Sequence, residues 1–466
     1  MIFNPTDLVK KEGSFVFFGN CDSIANTCLN KPIFKEFWKN FTFQVSELAV
    51  SECDEYLFTI GAAEKLSLDG KDYSINIQPD GLCVYAKSEK DLVNGFVTLL
   101  DRFRAVKING SLAIEADCCQ IRESAIIKNR MVHLCVFPET ELWEIQRFVR
   151  LCGALKYTHL VLEFWGMLKF DCLKELSWPH AFTKEQIKPI IQEANELALE
   201  VIPFFNHWGH ASASRGAYGK HVVLDQNPSL QTYFSEDGWC WAIREPEVRE
   251  LLRNVRNELM ELCGDGEYFH MGCDEAFSYE FTEENMQLIC DFINEVSEEM
   301  NALGRRVFIW GDMFLYHYEH YEPKNKYACF SPSPETEQFL LSHLNKNVII
   351  ADWQYSSPIA PIETCSVFQK AGFDCILCPW DSGKQQTDAT LATIKDTSLV
   401  GFMHTTWHTL SSEKGMRYVV LMGMGGFEDV EKCSMKNLMF ATAALLRKVM
   451  PINGCYEKAG WRKFQI

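Results

Sequence analysis

A parallel (β/α)8 barrel, preceded by a small α/β domain in which a sheet is backed by a helix and followed by a helical C-terminal segment, is the fold predicted by this sequence. Three observations carry the expectation. The chain has 466 residues, too many for one small domain and enough for a barrel of roughly 250 residues with additions. Past about residue 120, short apolar runs alternate with amphipathic helical patterns, the mark of βα units joined in a parallel sheet. Several of those runs end in carboxylates or tryptophans, and the C-terminal ends of barrel strands are where such enzymes keep their chemistry.

These patterns divide the chain into residues 1–120, an N-terminal α/β domain, 121–410, a catalytic barrel, and 411–466, a helical segment packed on the barrel. In the first part Phe15 to Phe18 reads as a strand and Phe34 to Phe41 as an aromatic-rich helix, with no role assigned to residues 1–50. Tyr56 to Ile60 is strand-like. Tyr73 to Gln78 alternates and turns through Pro79-Asp80-Gly81 into Leu82 to Ala86, a hairpin with suitable turn residues. Ser88, with Asp91 three residues on, can cap a helix showing Leu92, Phe96, Leu99, Leu100 and Phe103 on one face. The barrel strands are expected at Arg130 to Val136, Thr158 to Phe164, Glu200 to Phe205, Tyr268 to Cys273, Arg306 to Trp310, Asn347 to Asp352, Phe373 to Cys378 and Leu399 to Thr405. Ile187, Ile190, Ile191, Ala194, Leu197 and Ala198 form an inward stripe on the helix after the second strand. Asn437 to Val449 reads as the last helix.

The fourth strand runs into Asp274-Glu275. Two carboxylates that flank a glycosidic bond as nucleophile and acid must sit about 5 to 5.5 Å apart on opposite sides of the sugar. Adjacent residues, with Cα atoms about 3.8 Å apart, do not easily reach around a ring. If Glu275 donates the proton, the nucleophile comes from elsewhere, and the acetamide of a 2-acetamido sugar is one source, with Asp274 orienting it.

His270, Gly272, Asp274 and Glu275 resemble the His-x-Gly-x-Asp-Glu strand of glycoside hydrolase family 20, the β-N-acetylhexosaminidases, here as a divergent, non-secreted member. The resemblance covers roughly residues 55 to 410 and implies further roles. Arg130 would grip ring hydroxyls of the terminal sugar, and His210, in Asn206-His-Trp-Gly-His210, matches a site histidine. Trp310, Trp353 and Trp407 match the acetamide pocket; Trp380 stands where a tyrosine is usual, so Tyr355 would supply the hydroxyl. Asp381 would match an acidic sugar contact. Two departures stand out. Glu163-Phe164-Trp165 replaces a histidine-rich strand end, and Thr409 replaces a glutamate that holds distal hydroxyls, which implies weaker discrimination between gluco and galacto configurations or a galacto preference.

Composition narrows the partners. A net charge of −18 with no basic run disfavours nucleic acid. No apolar stretch reaches the 18 or so residues that span a membrane. The amino terminus has no basic start followed by a long apolar run, so it does not read as a secretory signal, and 19 cysteines, an odd number, read as free thiols. The cytoplasm is the expected compartment, although a signal trimmed from a longer chain would leave the same sequence.

The expected activity is retaining removal of terminal β-linked N-acetylglucosamine or N-acetylgalactosamine from glycans, with no cofactor and with a homodimer left open. Two alternatives remain. One is a sugar-binding barrel without catalysis; the other is a barrel glycosidase of another family using separated carboxylates such as Glu163 and Glu275. Cys375 and Cys378 lie three apart in a strand and point to opposite faces. His207 with His210 and His404 with His408 are explained as pocket walls more simply than as zinc ligands, and Gly423-Met-Gly-Gly426 lacks the third glycine of a dinucleotide loop.

Overall fold

The computed structural model describes residues 4–5, 7–17, 56–211, 224, 227–408, 410, 413–430 and 433–449. Phe18, Phe34 to Phe41 and Thr409, singled out above, lie outside the described residues.

The N-terminal sheet has six antiparallel strands: β1 (Asp7–Phe17), β2 (Leu57–Gly61), β3 (Tyr73–Gln78), β4 (Gly81–Ala86), β5 (Arg104–Ile108) and β6 (Ser111–Glu123), in the order β1-β6-β3-β4-β2 with β5 also on β6. The β3–β4 hairpin turns where Pro79-Asp80-Gly81 predicts it. Helix α1 (Glu89–Leu100) backs the sheet, and Ser88 caps it by accepting the Asp91 N–H. Leu92, Phe96, Leu99 and Leu100 are buried on its inner face, with Phe96 edge-on to Phe58. The sequence reading reaches only the end of β1, from Phe15, and misses β5 and β6. The inward set of β6 includes the small residues Ala116 and Cys119, which carry little strand signal.

The remaining eight strands close a parallel barrel: β7 (Asn129–Cys135), β8 (His159–Glu163), β9 (Glu200–Phe204), β10 (Tyr268–His270), β11 (Arg306–Trp310), β12 (Ile349–Trp353), β13 (Asp374–Cys378) and β14 (Gly401–His404), with β14 pairing β7. Each lies within a predicted strand to within a residue. Alternation sorts their side chains. Met131, Val161, Ile202, Phe204, Phe308, Trp310, Ile349, Ile376 and Met403 fill the barrel, while their neighbours in sequence pack outward on the helices. Cys375 and Cys378 belong to the outer and inner sets respectively, as their spacing predicts.

Helices α2 (Leu142–Ala154), α3 (Lys184–Glu196), α4 (Pro246–Cys263), α5 (Glu283–Ala302), α6 (Pro334–His343), α7 (Thr364–Lys370) and α8 (Lys384–Lys395) cover the outside, followed by α9 (Glu413–Gly425) and α10 (Met435–Lys448). The N-terminal end of the barrel rests on the sheet domain through buried polar groups. Lys156 Nζ donates to Glu123 Oε2 at 3.0 Å and to the Tyr73 hydroxyl at 2.9 Å.

Candidate active site

The C-terminal mouth of the barrel holds a pocket of about 400 Å³ lined by Phe137, Trp165, His210, Asp274, Glu275, Trp310, Trp353, Tyr355, Trp380 and Trp407. Eight of these ten were expected at the site from the sequence. The other two, Phe137 and Trp165, follow β7 and β8 directly, so the strand-end reasoning applied to the other tryptophans would have reached them.

The acidic pair is set by a turn that ordinary residues avoid. β10 stops at His270, and Gly272, Cys273 and Glu275 then take φ of 71°, 78° and 46°. Left-handed conformations at non-glycine residues cost about 1 to 3 kcal/mol each and persist only when the surroundings determine them. His270 Nδ1 accepts the Gly272 N–H at 3.1 Å, and its ring stacks on Phe204 and packs against Trp310, so this motif histidine shapes the turn from inside the barrel. Burial holds it neutral, well below the usual histidine range. Gly272 has to be glycine, since a Cβ would fall 1.6 Å from Asn206 Oδ1.

His210 joins the two acids. Its Nε2 lies 2.9 Å from Glu275 Oε2, within hydrogen-bond distance, and 3.4 Å from Asp274 Oδ2. The ring is held between Trp165, nearly parallel at 13°, and Trp239, 4.3 Å away. Trp239 also donates its indole N–H to the Glu275 carbonyl at 2.6 Å. Both carboxylates therefore face one nitrogen from one side and cannot straddle a sugar ring. Their surroundings differ: the Asp274 side chain is 10% exposed and that of Glu275 31%.

The opposite wall is aromatic. Trp310 is the innermost indole, fully buried, and meets Trp407 at 6.3 Å. The Trp407 indole N–H donates to the Tyr355 hydroxyl at 2.6 Å, and Trp380 packs on the Tyr355 ring. Asp312, just past β11, accepts the Glu275 backbone N–H on Oδ2 and the Trp353 indole N–H on Oδ1, both at 2.9 Å. Its pKa is pushed up to about 7 by burial above all, with the charge of Glu275 adding to the rise.

Two expected contacts are corrected. Arg130 is the second residue of β7, at the N-terminal end of the barrel and about 16 Å of strand from the mouth. Its guanidinium donates to the carbonyls of Ile127, Lys128 and Lys156 and stacks on Phe427, so it serves the barrel floor. Asp381 does not line the pocket; its charge bears on Tyr418 of α9 instead. Glu163, the second carboxylate of the alternative glycosidase reading, is fully buried beneath the pocket, with Oε2 2.8 Å from His133 Nε2 and Oε1 accepting from Asn206. His207 points away from His210, packing against Phe269 and Phe292.

Comparison with known proteins bears on this geometry. Residues 162–389 match the sequence model described as glycosyl hydrolase family 20, catalytic domain. A lacto-N-biosidase from Bifidobacterium bifidum is 22% identical over 275 residues, 54% of this chain, which spans 23% of that relative's length. The exo-β-N-acetylglucosaminidase of Vibrio harveyi, solved with N-acetylglucosamine, superposes with a TM-score of 0.66 at 14% identity, covering 96% of this chain and 76% of that one. For the N-acetyl-β-hexosaminidase of Streptomyces plicatus the TM-score is 0.64 at 15% identity, with 98% and 94% covered. The β-N-acetylhexosaminidase of Bacteroides fragilis gives 0.65 at 13%, with 95% and 93% covered. At such identities these likenesses establish a shared fold.

Proposed function

We propose that this chain, whose residues 162–389 match the glycosyl hydrolase family 20 catalytic domain, is a family 20 enzyme and a retaining exo-glycosidase which removes terminal β-linked N-acetylhexosamine with the substrate's own acetamide as nucleophile. The observation that carries the proposal is the placement of both acids on the same nitrogen of His210, opposite an aromatic box. One carboxylate of a same-side pair cannot attack while the other protonates across the ring. Glu275, at the more open position, protonates the leaving oxygen and later deprotonates water. Asp274, deeper in, accepts the acetamide N–H and stabilises the charge that develops as the carbonyl oxygen closes on the anomeric carbon. Trp310, Trp353 and Trp407 enclose the acetamide methyl and exclude water, with the Tyr355 hydroxyl turned to the acetamide oxygen.

A pocket of about 400 Å³ suits one terminal sugar rather than an internal stretch of glycan. The proposed partners are therefore glycan fragments ending in N-acetylglucosamine or N-acetylgalactosamine. The described cysteines are free thiols, which suits the cytoplasm as the proposed compartment.

The test is turnover of the two aryl β-N-acetylhexosaminides, the anomeric course followed by NMR, and inhibition by a thiazoline mimic of the cyclised acetamide. Hydrolysis with retention and tight thiazoline binding are expected. No turnover of either substrate defeats the enzyme reading, and turnover indifferent to the thiazoline defeats the acetamide mechanism.

A further inference from the structure

We propose that Asp312 is a positioning residue that ties the general acid to the acetamide wall, so that Glu275 and Trp353 keep their places through one shared carboxylate. The proposal rests on the roles given above to Glu275 and Trp353. Asp312 is 1% exposed and follows Trp310 by two residues, so β11 delivers the innermost wall and this carboxylate together. The left-handed conformation at Glu275 turns its backbone N–H into the protein, where a donor needs an acceptor. Asp312 Oδ2 meets that need at 2.9 Å, while Oδ1 takes the indole N–H of Trp353 at the same distance. The Glu275 carbonyl is held from the other side by Trp239. The backbone is thus fixed at both its N–H and its C=O, in addition to the contact of the Glu275 side chain with His210.

Asparagine cannot replace this acid. An amide of the same shape has one oxygen to offer, so one of the two N–H groups would face an NH2 group instead of an acceptor. A group that only stabilised the fold would, when altered, lower activity evenly. One that aims the acid should hurt most where the leaving group needs a proton.

The experiment measures kcat/KM of the whole protein and its variants on a β-N-acetylhexosaminyl disaccharide and on the dinitrophenyl glycoside, with thermal melts alongside. Asp312→Asn should lose at least about tenfold more on the disaccharide, within the 10²–10⁴-fold that general acids supply. Trp353→Phe keeps a ring in the wall but releases one tie, and should show the same bias at smaller size. In the Trp353→Phe background the one oxygen that Asp312→Asn leaves can serve Glu275 alone, so the added loss from Asp312→Asn should shrink. Equal losses on both substrates, or no shrinkage in the double variant, overturn the proposal. Should Asp312→Asn not fold, an even loss in Trp353→Phe overturns it and a biased loss supports it. A wild-type protein that cleaves neither substrate removes the reading on which the proposal rests, and the proposal with it.

Discussion

Asp274 and Glu275 are neighbours in sequence with different tasks, and exposure separates them: 10% for the first side chain, 31% for the second. Glu275→Gln should cripple a disaccharide far more than a dinitrophenyl glycoside, whose leaving group needs little help from an acid, by about a hundredfold or more. Asp274→Asn should slow both alike, because charge develops on the cyclic intermediate whatever departs. Kinetics of both variants on both substrates check the assignment, and the reverse pattern would exchange the roles. At this scale the sequence was legible wherever a residue's place on a strand decides what it faces, as with Trp310, Trp353 and Trp407. Arg130 misled because a motif match does not say which end of a strand a long side chain serves. Asp312 and Trp239 gave no local sign, since they meet Glu275 from 37 and 36 residues away.

The turn after β10 shows how neighbouring segments share a constraint. Gly209 presses against it so closely that a Cβ would lie 1.8 Å from the Asp274 carbonyl oxygen, an approach only glycine allows. Gly209→Ala should therefore shift the acidic turn and cut kcat/KM at least about tenfold, within the range expected for about 1 Å of misplacement. Assays paired with circular dichroism distinguish this from unfolding, and a variant of wild-type activity would show that the turn gives way without harm. The sequence places the fourth strand from Tyr268 to Cys273, yet the ladder stops at His270. An apolar run reads as strand whatever its dihedrals, whereas Gly272 and Cys273 are left-handed and Gly272 packs closely against Asn206. Helix starts were easier to read, because a cap such as Ser88 acts within its own turn.

The whole barrel carries buried carboxylates whose charge is costly. Asp352, fully buried and hydrogen-bonded by Gln354 and Thr364, has its pKa raised to about 6 by burial. A folded pKa above the unfolded one means a contribution present in full below about pH 4 and lost as pH rises through 6. Relative to wild type, Asp352→Asn should gain about 3 kcal/mol of stability between about pH 4 and pH 8. Thermal melts of both proteins across that range check it, and a constant difference would refute it. Barrel closure itself was legible from eight recurring strand patterns, whereas the buried Lys156–Glu123–Tyr73 contact beneath it joins residues too far apart to leave a pattern. Closure also has a cost in time. β7 finds its second neighbour only in β14, and the Thr406 hydroxyl reaches the His133 carbonyl across 273 residues. At a ribosome's pace of about 5 to 20 residues per second, the first barrel strand waits roughly 14 to 55 s for the last. For that interval Met131 and its inward neighbours depend on whatever shields nascent apolar surface in the cell.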